Sequence, residues 1–252
     1  FGEINNEQRT HLMDNSVYIA LSRQMTLFRN LDVTANNIAN ADTTGFQSEK
    51  TMFTDYLVDD GNHRDMAFAQ DIATYHNLDQ GMLKSTGNDL DVAINGEGYF
   101  VVETPAGERY TRAGSFHVDP EGTLMTPDGF PILDDAGQRL QFDPEDTDIT
   151  VGENGVVSVL GEQRGTIGMV EFPNRQALKR MNSTLFEANG QEPQLATKSR
   201  MVQGALEKSN VSPVTELVRL TELSRSSTST AKFIEVMYDL QRKSSNTWTK
   251  QQ

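Results

Sequence analysis

The chain has 252 residues, 36% of them hydrophobic, and sets 22 Lys and Arg against 36 Asp and Glu for a formal net charge of −14. That length supports one or two domains with a sizeable core, while the acidic balance excludes a nucleic-acid groove and favours solubility. No cysteine is present, so disulfide frameworks and cysteine-based zinc sites are excluded, and no apolar run is long enough to span a membrane.

Residues 1–12 lack an apolar core and a cleavage pattern, so they do not read as a secretory signal. They read as a short extension or as a remnant foreign to the natural chain, with Met13 as the expected natural start. From Asp14 the pattern is helical. Val17, Leu21, Phe28, Leu31, Ala35 and Ile38 recur at spacings of three, four and seven, with Gln24 the polar member of the seam. The spacing predicts an amphipathic helix of about 25 residues, roughly 35–40 Å long. By itself the stripe describes a helix lying on a core. It then runs into three asparagines, Asn36, Asn37 and Asn40, and stops in Asp42-Thr43-Thr44-Gly45. Asn, Asp and Thr compete for backbone hydrogen bonds, and Gly45 frees the chain to turn.

Residues 51–84 show no sustained period around the turn signal Asp59-Asp60-Gly61-Asn62, and an extended or partly mobile connection is expected there. Between 89 and 172 the period switches to two. Leu90, Val92 and Ile94 alternate, Asn95-Gly96-Glu97-Gly98 turns the chain as a hairpin, and a strand follows from Tyr99. Short β-rich runs punctuated this often describe a compact antiparallel β domain. Ser212-Pro213 then starts a second helix, Ser as N-cap and Pro at the first helical position. Val214, Leu217, Leu220, Ala231, Ile234 and Tyr238 share one face, with Phe233, Met237 and Leu240 beside it; the hydroxyl-rich residues 224–230 form a weak interior. The expected organisation is an N-terminal helix at 13–41, a linking segment at 42–87, a β domain at 88–175, a return segment at 176–211 and a C-terminal helix at 212–252. Apolar stripes at both ends need partners: the two helices pack together, or they wait for other subunits.

No catalytic chemistry stands out. His11, His63, His76 and His117 are scattered without ligand spacing. Asp143-Pro144-Glu145-Asp146 fails the calcium-loop pattern, because Asn154 stands where the bidentate Glu belongs. The acidic turns read as solvated turn formers. Gly96-Glu97-Gly98 opens like a dinucleotide fingerprint, but Val101 takes the third glycine position and a strand follows instead of a helix. Ser229-Thr230-Ala231-Lys232 matches a serine-enzyme SxxK without its companion motifs. The sequons at Asn182 and Asn210 matter only on a glycosylating route. No catalytic residue, metal or cofactor is expected.

Three blocks carry a resemblance. MDNSVYIALSRQMTLFRNLDVTANNIANADTTGFQSEK from Met13, NDLDVAINGEGYFVV with ERYTRAGSFHVDPEGTLMTPDGFPIL in the middle, and QGALEKSNVSPVTELVRL near the end resemble, in order, the bacterial flagellar rod and hook family. In that pattern a long helix ends in ANNIAN, followed by TTGF, so Asn36, Asn37, Asn40, Thr43, Thr44, Gly45 and Phe46 stand on the family motif. The MDNS and LSRQM segments look most like its proximal-rod members, with distal-rod members next. The sequence departs from the family at 224–230, where an aromatic and an acidic residue usually follow the arginine; this bears on C-terminal helix packing.

The resemblance implies an α+β fold: a central antiparallel β domain, with N- and C-terminal helices forming a coiled-coil-like layer near a rod axis. It implies a structural, non-enzymatic part of the basal body, exported unfolded through the flagellar type III apparatus and assembled in the periplasm with proximal and distal rod subunits. No nucleic acid and no membrane insertion are expected. The subunit interface is then expected at Val17, Leu21, Phe28, Leu31, Ala35, Ile38, Leu217, Leu220, Ile234, Met237 and Tyr238. A wall-glycan hydrolase with paired carboxylates and a secreted binding module using the β domain alone are the competing readings.

Overall fold

The computed structural model of the chain describes residues 6–59, 65–143, 146 and 149–248. It divides into two units. The first comprises Phe1–Ile38, Glu49–Tyr75 and Pro213–Gln252; the second comprises Ala39–Ser48 and His76–Ser212.

The first unit holds helix α1 (Asn6–Ala39), helix α2 (Pro213–Trp248) and a two-stranded ribbon of Glu49–Asp59 and Asp65–His76. Helix α1 begins before Met13, so part of the expected extension is helical; Glu, Gln, Arg and Leu in 6–12 are good helix formers. Residues 1–5 lie outside the described residues. The expected connection at 42–87 is corrected by the ribbon and by the strand Leu83–Ser85. Of the turn expected at 59–62, residues 60–62 lie outside the described residues, as does His63. Helix α2 runs unbroken through 224–230. There the Thr228 hydroxyl donates to the Ser224 carbonyl (2.9 Å) and that of Thr230 to Ser226 (3.0 Å). These bonds satisfy polar side chains on the helix itself.

The second unit is antiparallel throughout its named strand pairs. One sheet has the order Lys179–Arg180, Leu185–Glu187, Gly107–Thr111, Tyr99–Thr104, Met169–Glu171, Gln194–Leu195, and a second the order Glu162–Thr166, Val156–Val159, Ile149–Val151. Val92–Asn95 pairs with Arg200–Gln203, Leu83–Ser85 with Ala205–Glu207, and His117–Val118 with Leu124–Met125. The return segment at 176–211 is therefore part of the β architecture: four of its strands lie in sheets with strands of 88–175, and Ala205–Glu207 pairs with Leu83–Ser85. Strands of two to four residues are too short to show an alternation in sequence.

The main core gathers Val92, Ile94, Phe100, Val102, Ile132, Val157, Ile167 and Met201 among others, and a second cluster centres on Tyr99, Tyr110, Phe172 and Phe186. The turn at Gly96-Glu97-Gly98 is not a hairpin, because its flanking strands pair with different partners. It passes between sheets at close range: a Cβ on Gly96 would lie 2.6 Å from the Ser199 hydroxyl, and Gly96 has φ +128°.

Candidate assembly surfaces

Two features of the chain bear on function: the faces of the paired helices and the junction that follows α1. Among the described side chains of α1, the buried ones are Ala20, Gln24, Leu27, Asn30, Thr34 and Asn37. They recur every three or four positions, so they form one inward face, and most of them are polar or small. Gln24 donates from Nε2 to the Ser227 hydroxyl of α2 at 2.7 Å, both side chains being buried. Asn30 accepts from the Thr51 hydroxyl of the ribbon. Asn37 makes a two-way clip on Glu49: its Nδ2 donates to the Glu49 carbonyl (2.8 Å), and the Glu49 N–H donates back to its Oδ1 (3.0 Å).

The expected apolar stripe lies off this face. Leu21, Phe28 and Ala35 are exposed, Phe28 by 54%, while Val17, Leu31 and Ile38 are half-buried. Tyr18 and Met25 extend the same surface. On α2, Leu220, Ile234 and Met237 are half-buried and Val214, Leu217, Phe233 and Tyr238 are exposed, Leu217 by 51%. Both long helices thus carry large apolar side chains on their outside. Charge is divided to match. The second unit carries 11 Lys and Arg against 22 Asp and Glu, net −11, and the first carries 11 against 14, net −3. Copies of the β unit repel one another, whereas the helical unit is close to neutral.

The family-motif residues divide at the end of α1. Asn36 is exposed and Asn37 makes the clip above. Beyond the helix, the Thr43 N–H and hydroxyl both point to Asn40, at 3.2 Å from its carbonyl and 3.2 Å from its Oδ1, and the Thr43 carbonyl accepts from the Phe46 N–H. Thr44 is half-buried beside them. Gly45 has φ +69°, and a Cβ there would lie 2.4 Å from both the Ala113 nitrogen and the Arg112 carbonyl carbon. Only glycine fits so close to that backbone in that conformation. Phe46 is fully buried, with the Arg180 guanidinium 4.7 Å above its ring and 4.9 Å from that of Phe186. Arg180 also donates to the Gln47 carbonyl and, at 2.6 Å, to that of Ser183.

Beneath Gly45 lies an ion pair that sequence reading did not single out. Arg112 has no exposed side-chain surface; its Nε and Nη2 meet Glu207 Oε2 at 2.8 and 2.7 Å, and its Nη1 donates to the Gly98 carbonyl at 2.7 Å. Glu207 Oε1 accepts from the Gly81 N–H (3.0 Å), and the Glu207 carbonyl accepts from the Gly45 N–H (2.8 Å). The buried charges are thus paired and hydrogen-bonded, which is what makes their burial tolerable. Nothing in an isolated Arg or Glu marks it for this; the only hint was that both lie within the blocks that carry the resemblance.

The other nominated chemistry does not assemble. Among the described residues no group of three His, Asp or Glu side chains is placed to hold a metal, and no helix is long and apolar enough to cross a membrane. Asp143 and Asp146 both face Arg164, at 3.2 and 3.5 Å; Pro144 and Glu145 lie outside the described residues. Ser229 and Lys232 are exposed on α2, and the Asn182 carboxamide caps the N–H groups of Thr184 and Leu185.

Comparison with known proteins places these features. Residues 17–47 match the flagella basal body rod protein model, 93–159 the flagellar hook protein FlgE/F/G D1 domain, and 202–247 the flagellar basal body rod FlgEFG protein C-terminal model. The flagellar basal-body rod protein FlgF of Caulobacter vibrioides is 41% identical over 235 residues, covering 91% of this chain and 96% of that protein. FlgF of Mesorhizobium japonicum is 37% identical, with 87% and 91% covered. The flagellar basal-body rod protein FlgG of Bacillus subtilis is 29% identical, with 88% and 94% covered. With a helix end, a β unit and a second helix each matched in order, the chain belongs to the flagellar rod and hook protein family, as a FlgF-like rod protein.

Proposed function

We propose that α1 and α2 form the axial packing layer of the rod, burying Val17, Leu21, Phe28, Leu31, Ala35, Ile38, Leu217, Leu220, Ile234, Met237 and Tyr238 against neighbouring subunits. The chain is a structural component of the flagellar basal body and not an enzyme. The observation that carries the proposal is the outward apolar surface on both helices of a chain whose own inward helix face is largely polar. Each large side chain buried between subunits contributes about 1.5–3 kcal/mol, and close-packed contacts of low compressibility suit the transmission of torque. Higher identity to FlgF than to FlgG proteins supports a place in the proximal rod, beside distal-rod subunits. Membership of the family supports export in an unfolded state through the flagellar type III apparatus, followed by assembly in the periplasm.

The test is Phe28→Glu and Leu217→Glu, separately and together, in cells lacking the native copy. Both side chains are more than half exposed, so the purified variants are expected to melt within about 2 °C of the parent, consistent with surface substitutions costing little stability. Hook–basal bodies counted by electron microscopy are expected to fall at least tenfold. Normal counts in the double variant would refute the axial packing layer.

A further inference from the structure

The chain crosses between its two units four times, after Ile38, Ser48, Tyr75 and Ser212. On the β-unit side three of these crossings meet at one side chain. Asn210 Oδ1 accepts from the Ser48 N–H at 2.7 Å. Its Nδ2 donates to the carbonyls of Asn77 (2.9 Å) and Asp79 (2.8 Å). The Asn210 N–H donates to the Phe46 carbonyl (3.3 Å), and the Asn77 N–H donates to the Ser48 carbonyl (2.7 Å). The fourth crossing is closed by the Asn40–Thr43–Phe46 turn.

We propose that Asn210 is the positioning residue of the rod subunit: it fixes, relative to one another, the places where the chain leaves the β unit toward the ribbon and α2. A carboxamide suits this role. It presents two donors and an acceptor on one short, rigid group, so a single side chain stitches three backbone segments that share no regular strand pairing at these points. Asp has the same shape but offers only acceptors when ionised, and Ala offers neither. The sequon at Asn210 is thus a place where the amide is fully used within the protein. The role rests on the rod reading for its consequence in cells but not for its structural part.

Asn210→Asp and Asn210→Ala test it. In Asn210→Asp a carboxylate would face the Asn77 and Asp79 carbonyl oxygens and lose both donations while keeping the Ser48 bond. The charged or titratable groups that these segments bring are Glu49, His76, Asp79 and Lys208. Protonation restores one donor, so acid conditions are expected to repair Asn210→Asp and leave Asn210→Ala unrepaired.

In the purified full chain, amide exchange at Ser48 and Asn77, corrected for intrinsic rates, is expected to rise at least tenfold in Asn210→Ala at neutral pH. Asn77 is expected to follow in Asn210→Asp and to recover as the pH falls below about 4, the ordinary carboxylate range. Core amides such as those of Phe100 and Val102 stay protected, and basal-body counts fall for both variants. Unchanged exchange at Ser48 and Asn77 in Asn210→Ala overturns the positioning role. So does identical pH behaviour of the two variants. Raised exchange with normal basal-body counts overturns its consequence for assembly and leaves the helix-packing proposal standing.

Discussion

Glu207→Ala removes the acceptor of a fully buried cation. The Arg112 guanidinium loses its two contacts at 2.8 and 2.7 Å and keeps only the Gly98 and Ile94 carbonyls, at 2.7 and 3.4 Å. The Gly81 N–H loses its partner as well. Breaking a buried pair from one side costs about 3–5 kcal/mol, because an uncompensated charge stays in a poorly solvated site. With a urea dependence of about 2 kcal/mol per molar, the unfolding midpoint is expected to fall by roughly 2 M. The near-ultraviolet dichroism of buried tyrosines follows it well, since Tyr99 lies 5.7 Å beneath the same guanidinium. Replacing both partners, Arg112→Met with Glu207→Leu, removes the charge altogether. Its cost is then expected to be about 2–3 kcal/mol, left by the orphaned Gly81 N–H and the Gly98 and Ile94 carbonyls. A midpoint shift below about 0.3 M for Glu207→Ala, or a double variant worse than the sum of the singles, would refute the reasoning.

Two further substitutions probe the junction and the sheet. Gly45→Ala combines a left-handed conformation costing about 1–2 kcal/mol with the collision against the Arg112–Ala113 backbone. A loss of about 3 kcal/mol, or roughly 6–12 °C in the melting temperature, is expected. Gly45→Asn should fare no better, since Asn eases the conformation but keeps the Cβ; recovery in the Asn variant would show that the close approach does not matter. Burial, and secondarily the Glu108 carboxylate, hold the Tyr110 hydroxyl above its ordinary ionisation range. The folded state therefore holds that proton more tightly than the unfolded state does. The associated stability is fully present below about pH 10 and is lost as the pH rises through the folded value. Urea midpoints in alkaline buffer should fall more steeply for the parent than for Tyr110→Phe, and equal slopes would count against this.

The helices were legible because their signal is local. Ser212-Pro213 marks the start of α2 where the structure begins it, and the three-four spacing marks α1. The alternation of Leu90, Val92 and Ile94 and the strand from Tyr99 were equally plain. The ribbon at 49–76 and the short strands of 176–211 were not: residues 51–84 show no sustained period, and two-residue strands are too short to leave one. On α1 the apolar stripe was found, but which face turns inward was not. That choice falls to Gln24, Asn30 and Asn37, whose partners are Ser227, Thr51 and Glu49.

By itself the sequence determined the helical ends, the β-rich middle, the glycine needed in the turn after α1 and the family. Each of these is written in residues near one another, where spacing and backbone preference act directly. Only the tertiary structure decided what the polar residues do. Arg112 finds Glu207 across 95 positions, Asn210 finds Asn77 across 133, and Gln24 finds Ser227 across 203. A buried polar group needs a partner, but its own chemistry does not say which one; the fold supplies it by bringing distant segments within hydrogen-bonding reach.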